Sequence, residues 1–213
     1  MRRVPPDKSN DPNSALQPIG FVATFGSEFC SFTTFVRAKS INAAQVTALA
    51  DNISWVKQAN NVVIFGPSGV GKTHLAAAIG YRLIEQGVRV LFMQATTLVQ
   101  KLQQARHAYR LSEFIAKLAR IPVLIIDDIG YVKKTEAETS VLFELIADRY
   151  ESSSLVITSN QAFGEWDNIF PDNIMAVAAI DRLVHHATII NIAEISYRKQ
   201  HSAQQINTNA NTN

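Results

Sequence analysis

Cysteine is all but missing: a single Cys30 stands among 213 residues. That excludes an internal disulfide framework and a cysteine-based zinc site, and a lone cysteine reads as a small apolar residue. Long apolar runs are missing as well, since no stretch approaches the roughly 18–20 residues that a membrane helix needs. After Met1-Arg2-Arg3-Val4 come prolines and polar residues, where a signal peptide places its apolar stretch. No membrane contact and a cytoplasmic location are the expectations. Nor is there a surplus of one charge. The 20 lysines and arginines face 18 acids, a net of +2, so attraction to nucleic acid must come from a local patch. What the chain does have is an ordinary globular composition, 47% hydrophobic and 18% charged, which excludes full disorder. The length fits one domain, or one domain with an appendage.

Three regions differ in composition. Residues 1–40 begin with Pro5, Pro6, Pro12 and Pro18 among polar residues and continue with Phe21, Phe25, Phe29, Phe32 and Phe35. They read as a divergent, partly disordered arm. Residues 200–213 are nearly all Asn, Gln, Ser, Thr and Ala and read as a disordered tail. Between them, residues 41–199 alternate. A helix is expected over 41–59, then a strand at Val62–Phe65, a glycine loop, and a helix from Thr73 to Gln86 stopped by Gly87. Strands follow at Val88–Met93, Val123–Ile126, Leu155–Thr158 and Thr188–Ile192. Helices lie between them at 96–119 (broken near Arg110–Ser112), Glu136–Tyr150 and Ile174–His185. Thr135 and Glu138 have capping-box spacing. Short β-branched runs alternating with helices predict an α/β protein with a parallel sheet, whose ligands bind beyond the carboxyl ends of the strands.

The chemistry sits at those ends. Gly66-Pro67-Ser68-Gly69-Val70-Gly71-Lys72-Thr73 matches the phosphate-loop pattern. Glycines let the backbone wrap phosphates, and the following helix adds its positive end. Lys72 is placed for the β- and γ-phosphates, Thr73 for Mg²⁺, and His74 opens the helix beside them. Val123–Ile126 then runs into Asp127 and Asp128, two adjacent acids at the end of an apolar strand. Such a pair is costly unless it serves a cation or a water. The pattern gives Asp127 to the metal and Asp128 to the attacking water. Asn160, after the next strand, can hydrogen-bond both that water and the γ-phosphate, although Asn after a strand is commonly a turn residue. Arg182 is either an arginine finger or the partner of Asp181 or solvent. His185 and His186 read as solvent-facing or packing residues, because adjacent histidines diverge on a helix and no third ligand is evident.

Four stretches, GPSGVGKTHL, LIIDDIGY, VITSNQAFGEW and AAIDRLVHHATIINIAEISYR, occur in this order at Gly66–Leu75, Leu124–Tyr131, Val156–Trp166 and Ala178–Arg198. Together they resemble the IstB-like transposition helper ATPases of the AAA+ initiator and helicase-loader clade, over roughly residues 41–199. The resemblance implies a three-layer phosphate-loop NTPase with a five-stranded parallel sheet, binding and hydrolysing ATP with Mg²⁺. It implies Walker A roles for Lys72 and Thr73, Walker B roles for Asp127 and Asp128, sensor 1 at Asn160 and an arginine finger at Arg182. It further implies self-association into a ring or filament on duplex DNA and recruitment of a cognate transposase. Two departures stand out. Family members carry a helical N-terminal domain that residues 1–40 do not match. Asp128 stands where many AAA+ proteins have Glu, a shorter arm expected to slow water activation. No full lid domain is evident, and Arg198 is a second-sensor candidate. A replicative helicase loader and an ATP-binding relic that no longer assembles are the competing readings.

Residues 95–120 set Lys101, Arg106, Arg110, Lys117 and Arg120 against the single acid Glu113, with His107 and Tyr109 interleaved. Such a helical pair can hold the phosphate backbone without reading sequence. An extra helix at this place also contacts nucleic acid in the clade, as the resemblance implies. A solvated face is the alternative.

Overall fold

The computed structural model describes residues 41–130, 135–161, 163–168 and 173–193. The expectations for residues 1–40 and 200–213, and for Arg198, lie outside them. In chain order the elements are α1 (Ala43–Asp51), α2 (Ser54–Lys57), β1 (Asn61–Phe65), α3 (Lys72–Glu85), β2 (Val90–Gln94), α4 (Ala95–His107), α5 (Leu111–Ala119) and β3 (Val123–Asp127). Then come α6 (Glu136–Arg149), β4 (Ser154–Ser159), a 3₁₀ turn at Phe163–Asn168, α7 (Asn173–Val184) and β5 (Ala187–Asn191). Among the described residues no helix is long and apolar enough to cross a membrane.

The five strands form one sheet in the order β2-β3-β4-β1-β5, with every pairing parallel. Side chains of alternate strand residues point to opposite faces, and both faces are covered. Val62 and Ile64 join Leu75, Ile79 and Leu83 of α3 and Val46 and Leu49 of α1. Val63 and Phe65 join Leu98 and Leu102 of α4, Leu118 of α5, Leu142 and Leu145 of α6 and Leu183 of α7. The expected three layers are thus α1 with α3, the sheet, and α4 to α7. Burial on both faces makes β1, β3 and β4 continuous apolar runs rather than alternating ones.

Local chemistry sets the element ends. Gly87, at φ 81°, donates to Ile84 O while Val88 N donates to Leu83 O, at 2.9 and 3.0 Å. This is a Schellman closure of α3. It uses Val88, so β2 begins at Val90 rather than at the expected Val88. Thr135 and Glu138 form the capping box that starts α6. The expected single helix over 41–59 is instead two. Asn52 ends α1, and its Oδ1 accepts from Ser54 N at 2.8 Å, turning the chain into α2. The helix break falls at Ala108–Arg110, slightly earlier than expected, because Tyr109 takes the left-handed φ of 56°.

Arg149 closes α6 and is buried. Its guanidinium donates to Leu118 O, Ile121 O and Ser154 O at 2.9, 3.0 and 2.9 Å. These bonds tie the exit of α5 to the starts of β3 and β4. Burial pushes its pKa down to about 10, because the charged form loses its water.

Candidate functional site

Gly66 leaves β1 where the chain has no room for a side chain. A Cβ there would lie 2.5 Å from Ile192 O, and Ile192 N donates to Phe65 O at 2.8 Å. The loop is therefore seated against the end of β5. Pro67 and Ser68 are exposed, Gly69 and Val70 half-buried. Gly71, at φ 98°, is the N-cap of α3 and supplies no side-chain cap. Lys72, Thr73 and His74 form that turn, with Lys72 buried and His74 exposed. The Lys72 amine donates to Gly66 O and Pro67 O at 2.8 and 2.9 Å, drawing the loop closed from inside.

The acid strand meets this loop directly. Asp127, only 5% exposed, accepts from Thr73 Oγ1 at 3.1 Å and from Thr158 Oγ1 at 2.6 Å, one donor on each carboxylate oxygen. No motif or spacing in the sequence points to Thr158. Its hydroxyl also accepts from Asp128 N at 2.8 Å, and its carbonyl accepts from Ile129 N at 3.0 Å. One β4 residue thus fixes Asp127, Asp128 and the turn beyond them. Asp128 takes a left-handed φ of 62°, which Asp tolerates better than most residues, and its side chain is half-buried. Asn160 is exposed and follows Ser159, which pairs with Phe65, so Asn160 and Gly66 leave neighbouring strands side by side. Under this edge the buried Trp166 packs edge-to-face on Phe65 and donates to Gln161 O at 3.2 Å.

Arg182 is not part of this constellation. α7 leads into β5, whose Ala187 pairs with Asn61, the first residue of β1. The phosphate loop follows the last residue of β1, about 13 Å away at about 3.3 Å per residue. Arg182 pairs neither with Asp181 nor with a phosphate-loop residue. Its guanidinium lies 5.1 Å from the Phe143 ring centroid and donates to Ala178 O at 3.0 Å.

The basic candidates divide into two groups. Arg106 is half-buried, donates to Ser140 Oγ at 3.2 Å and is ion-paired with Glu144 of α6. Arg110 pairs with Glu113 at 3.0 Å. Lys101, Lys117 and Arg120 are exposed and make no ion pair among the described residues. Tyr109, at the tip between α4 and α5, is 99% exposed.

A parallel sheet in this order, with a phosphate loop after β1 and a paired carboxylate after β3, defines the class: a phosphate-loop AAA+ fold. The DnaC helicase loader superposes with a TM-score of 0.61 at 19% identity, covering 70% of this chain and 87% of that one. The replication initiator DnaA bound to AMPPCP and single-stranded DNA superposes with 0.63 at 20% identity, covering 80% of this chain and 51% of that one. Within the class, the model of the IstB-like ATP binding protein family matches residues 27–205, and the chain belongs to that family. An insertion-sequence ATP-binding protein of Sinorhizobium fredii is 56% identical over 160 residues, 75% of this chain and 54% of that protein. An IS21 ATP-binding protein of Pseudomonas aeruginosa is 42% identical over 146 residues, 68% of this chain and 55% of that protein. The chain spans about half the length of these relatives.

Proposed function

We propose that this chain binds ATP with Mg²⁺ at the carboxyl edge of its sheet, hydrolyses it, and serves as the DNA-bound helper of an insertion-sequence transposase. One observation carries the reading: the 3.1 Å contact between Thr73, on the phosphate-loop helix, and Asp127, on the acid strand. Backbone N–H groups of the loop and of the uncapped first turn of α3 receive the phosphates. Lys72 exchanges Gly66 O and Pro67 O for β- and γ-phosphate oxygens. Thr73 and Asp127 offer two hard oxygens, one anionic, which suits Mg²⁺, an ion that takes few protein ligands and keeps several waters. When bound, the ion neutralises charge on the phosphates. Asp128 orients the attacking water and takes its proton, Asn160 hydrogen-bonds the water and the γ-phosphate, and Arg182 serves the nucleotide of a neighbouring copy.

The insertion-sequence relatives, at 56% and 42% identity, favour the transposition helper over the helicase loader, since DnaC shares the fold at 19% identity. Duplex DNA, the cognate transposase and self-association into a ring or filament belong to the same proposal. A fluorescent ATP analogue and a phosphate-release assay test its core. Lys72→Ala should weaken nucleotide binding at least about tenfold, the effect of removing one buried charged hydrogen bond. Asp128→Asn should bind as the parent does yet turn over about 10²–10⁴-fold more slowly. Equal turnover in the parent and Asp128→Asn would take the water-orienting role away from Asp128.

A further inference from the structure

At the opposite edge of the sheet, Glu151, His185 and His186 come together from two parts of the chain. Their ligating atoms all lie within 4.8 Å of one another, and all three side chains are exposed. α7 ends at Val184, so the two histidines are not held on diverging helical positions. Their rings lie 4.2 Å apart, inclined at 58°. Glu151 reaches them because it sits just past the end of α6 in a left-handed turn, at φ 56°. A third candidate ligand, which the sequence does not display beside the pair, comes from another element.

We propose that Glu151, His185 and His186 form a site for a divalent transition metal, zinc first. Two imidazoles and one carboxylate, with the fourth position left to water, are a donor set that zinc accepts. Tyr150 supplies the supporting contact. Its hydroxyl lies 3.0 Å from His185 Nδ1, which leaves Nε2 as the ligating nitrogen and fixes the ring, as outer partners of metal-bound histidines commonly do. The site also lies at the carboxyl ends of α6 and α7, where helix dipoles favour a cation. Zinc bonds of about 2.0–2.2 Å at tetrahedral angles place ligand atoms about 3.4 Å apart, and rotation of the exposed Glu151 and His186 side chains makes up the difference. His186 O accepts from Asn61 N at 2.8 Å, so a bound ion would pin α6 and α7 together at the start of β1. This proposal does not rest on the nucleotide reading.

Calorimetric titration of the full chain with zinc chloride tests it, alongside cobalt titration read by visible absorption. The parent should take one equivalent and give the intense visible bands of tetrahedral cobalt. The double variant His185→Ala/His186→Ala should lose at least about a hundredfold in affinity and lose the bands. Glu151→Gln should lose about tenfold or more, and Tyr150→Phe about tenfold. Melting in chelator should match the parent; should the double variant melt early, Glu151→Gln, an exposed isosteric change, decides instead. Zinc affinity unchanged in the double variant would place binding at His74, His107 or His201 and overturn the proposal, as would a parent that binds no zinc.

Discussion

At the scale of single residues, Thr158 does with one hydroxyl what would otherwise take two side chains. It donates to the buried Asp127 carboxylate and accepts from the Asp128 N–H, so the two adjacent acids are held by one atom. Thr158→Val keeps the shape and the β-branch but leaves a buried carboxylate oxygen short of a donor and an N–H short of an acceptor. Unpaired buried groups cost about 1–3 kcal/mol each. Thermal unfolding should therefore show a loss of roughly 2–6 kcal/mol, and the Mg²⁺ concentration for half-maximal ATPase should rise. Thr158→Ser, which restores the hydroxyl, should recover most of both. A valine variant with parental Mg²⁺ dependence would show that Thr73 alone positions Asp127. The left-handed φ of Asp128 makes asparagine its least disturbing replacement, because Asn tolerates that region as Asp does. Alanine at the same place adds roughly 1–2 kcal/mol of strain and so confuses chemistry with folding.

Among the elements, the pair α4 and α5 changes character once its arginines are located. Arg106 spans to Glu144 and Ser140 of α6, so reversing it sets two carboxylates against each other and loosens α4 from the layer. In the proposed DNA-bound helper, the phosphate contacts of this pair fall to the exposed Lys101, Lys117 and Arg120. Changing these three to glutamine should lower the slope of log Kobs against log salt by about 0.9 for each phosphate no longer neutralised, equally on unrelated duplexes, with unchanged melting. Anisotropy across a salt series measures it, and an unaltered slope moves the DNA face elsewhere. How far each of these features is legible in the sequence depends on how local it is. The capping box at Thr135 and Glu138, the Gly87 stop and the phosphate loop are written within a few consecutive residues, and the sequence displays them. The bond from Thr158 to Asp127 depends on β3 and β4 lying side by side. The meeting of Glu151 with His185 depends on α6 and α7 ending at one edge. The pairing of Arg106 with Glu144 depends on helices packing. Periodicity and spacing do not encode any of these. The split between α1 and α2 is local too, yet the apolar spacing runs on through Asn52 and conceals it.

For the whole molecule, the placement of Arg182 constrains the part it could take in the proposed hydrolysis. It lies toward the amino edge of the sheet, over Phe143, while its own phosphate loop opens at the carboxyl edge. A role in hydrolysis is then a role in a neighbour's site, and activity per molecule should rise with protein concentration and rise further when duplex DNA gathers copies. Arg182→Ala and Lys72→Ala should each be nearly inactive alone. Mixed and co-assembled on DNA, they should regain part of the parental rate, because one lends a phosphate loop and the other a finger. No regain in a mixture shown to co-assemble would leave Arg182 as a packing residue on Phe143. The seat of Gly66 against Ile192 O has a consequence in time. The phosphate loop leaves the ribosome before the strand that seats it, since β5 follows β1 by more than a hundred residues. At roughly 5–20 residues per second, seconds pass in which β1 lacks β5 on one side. In the proposed reading, ATP would then stabilise the fold only once β5 has left the ribosome and seated the loop.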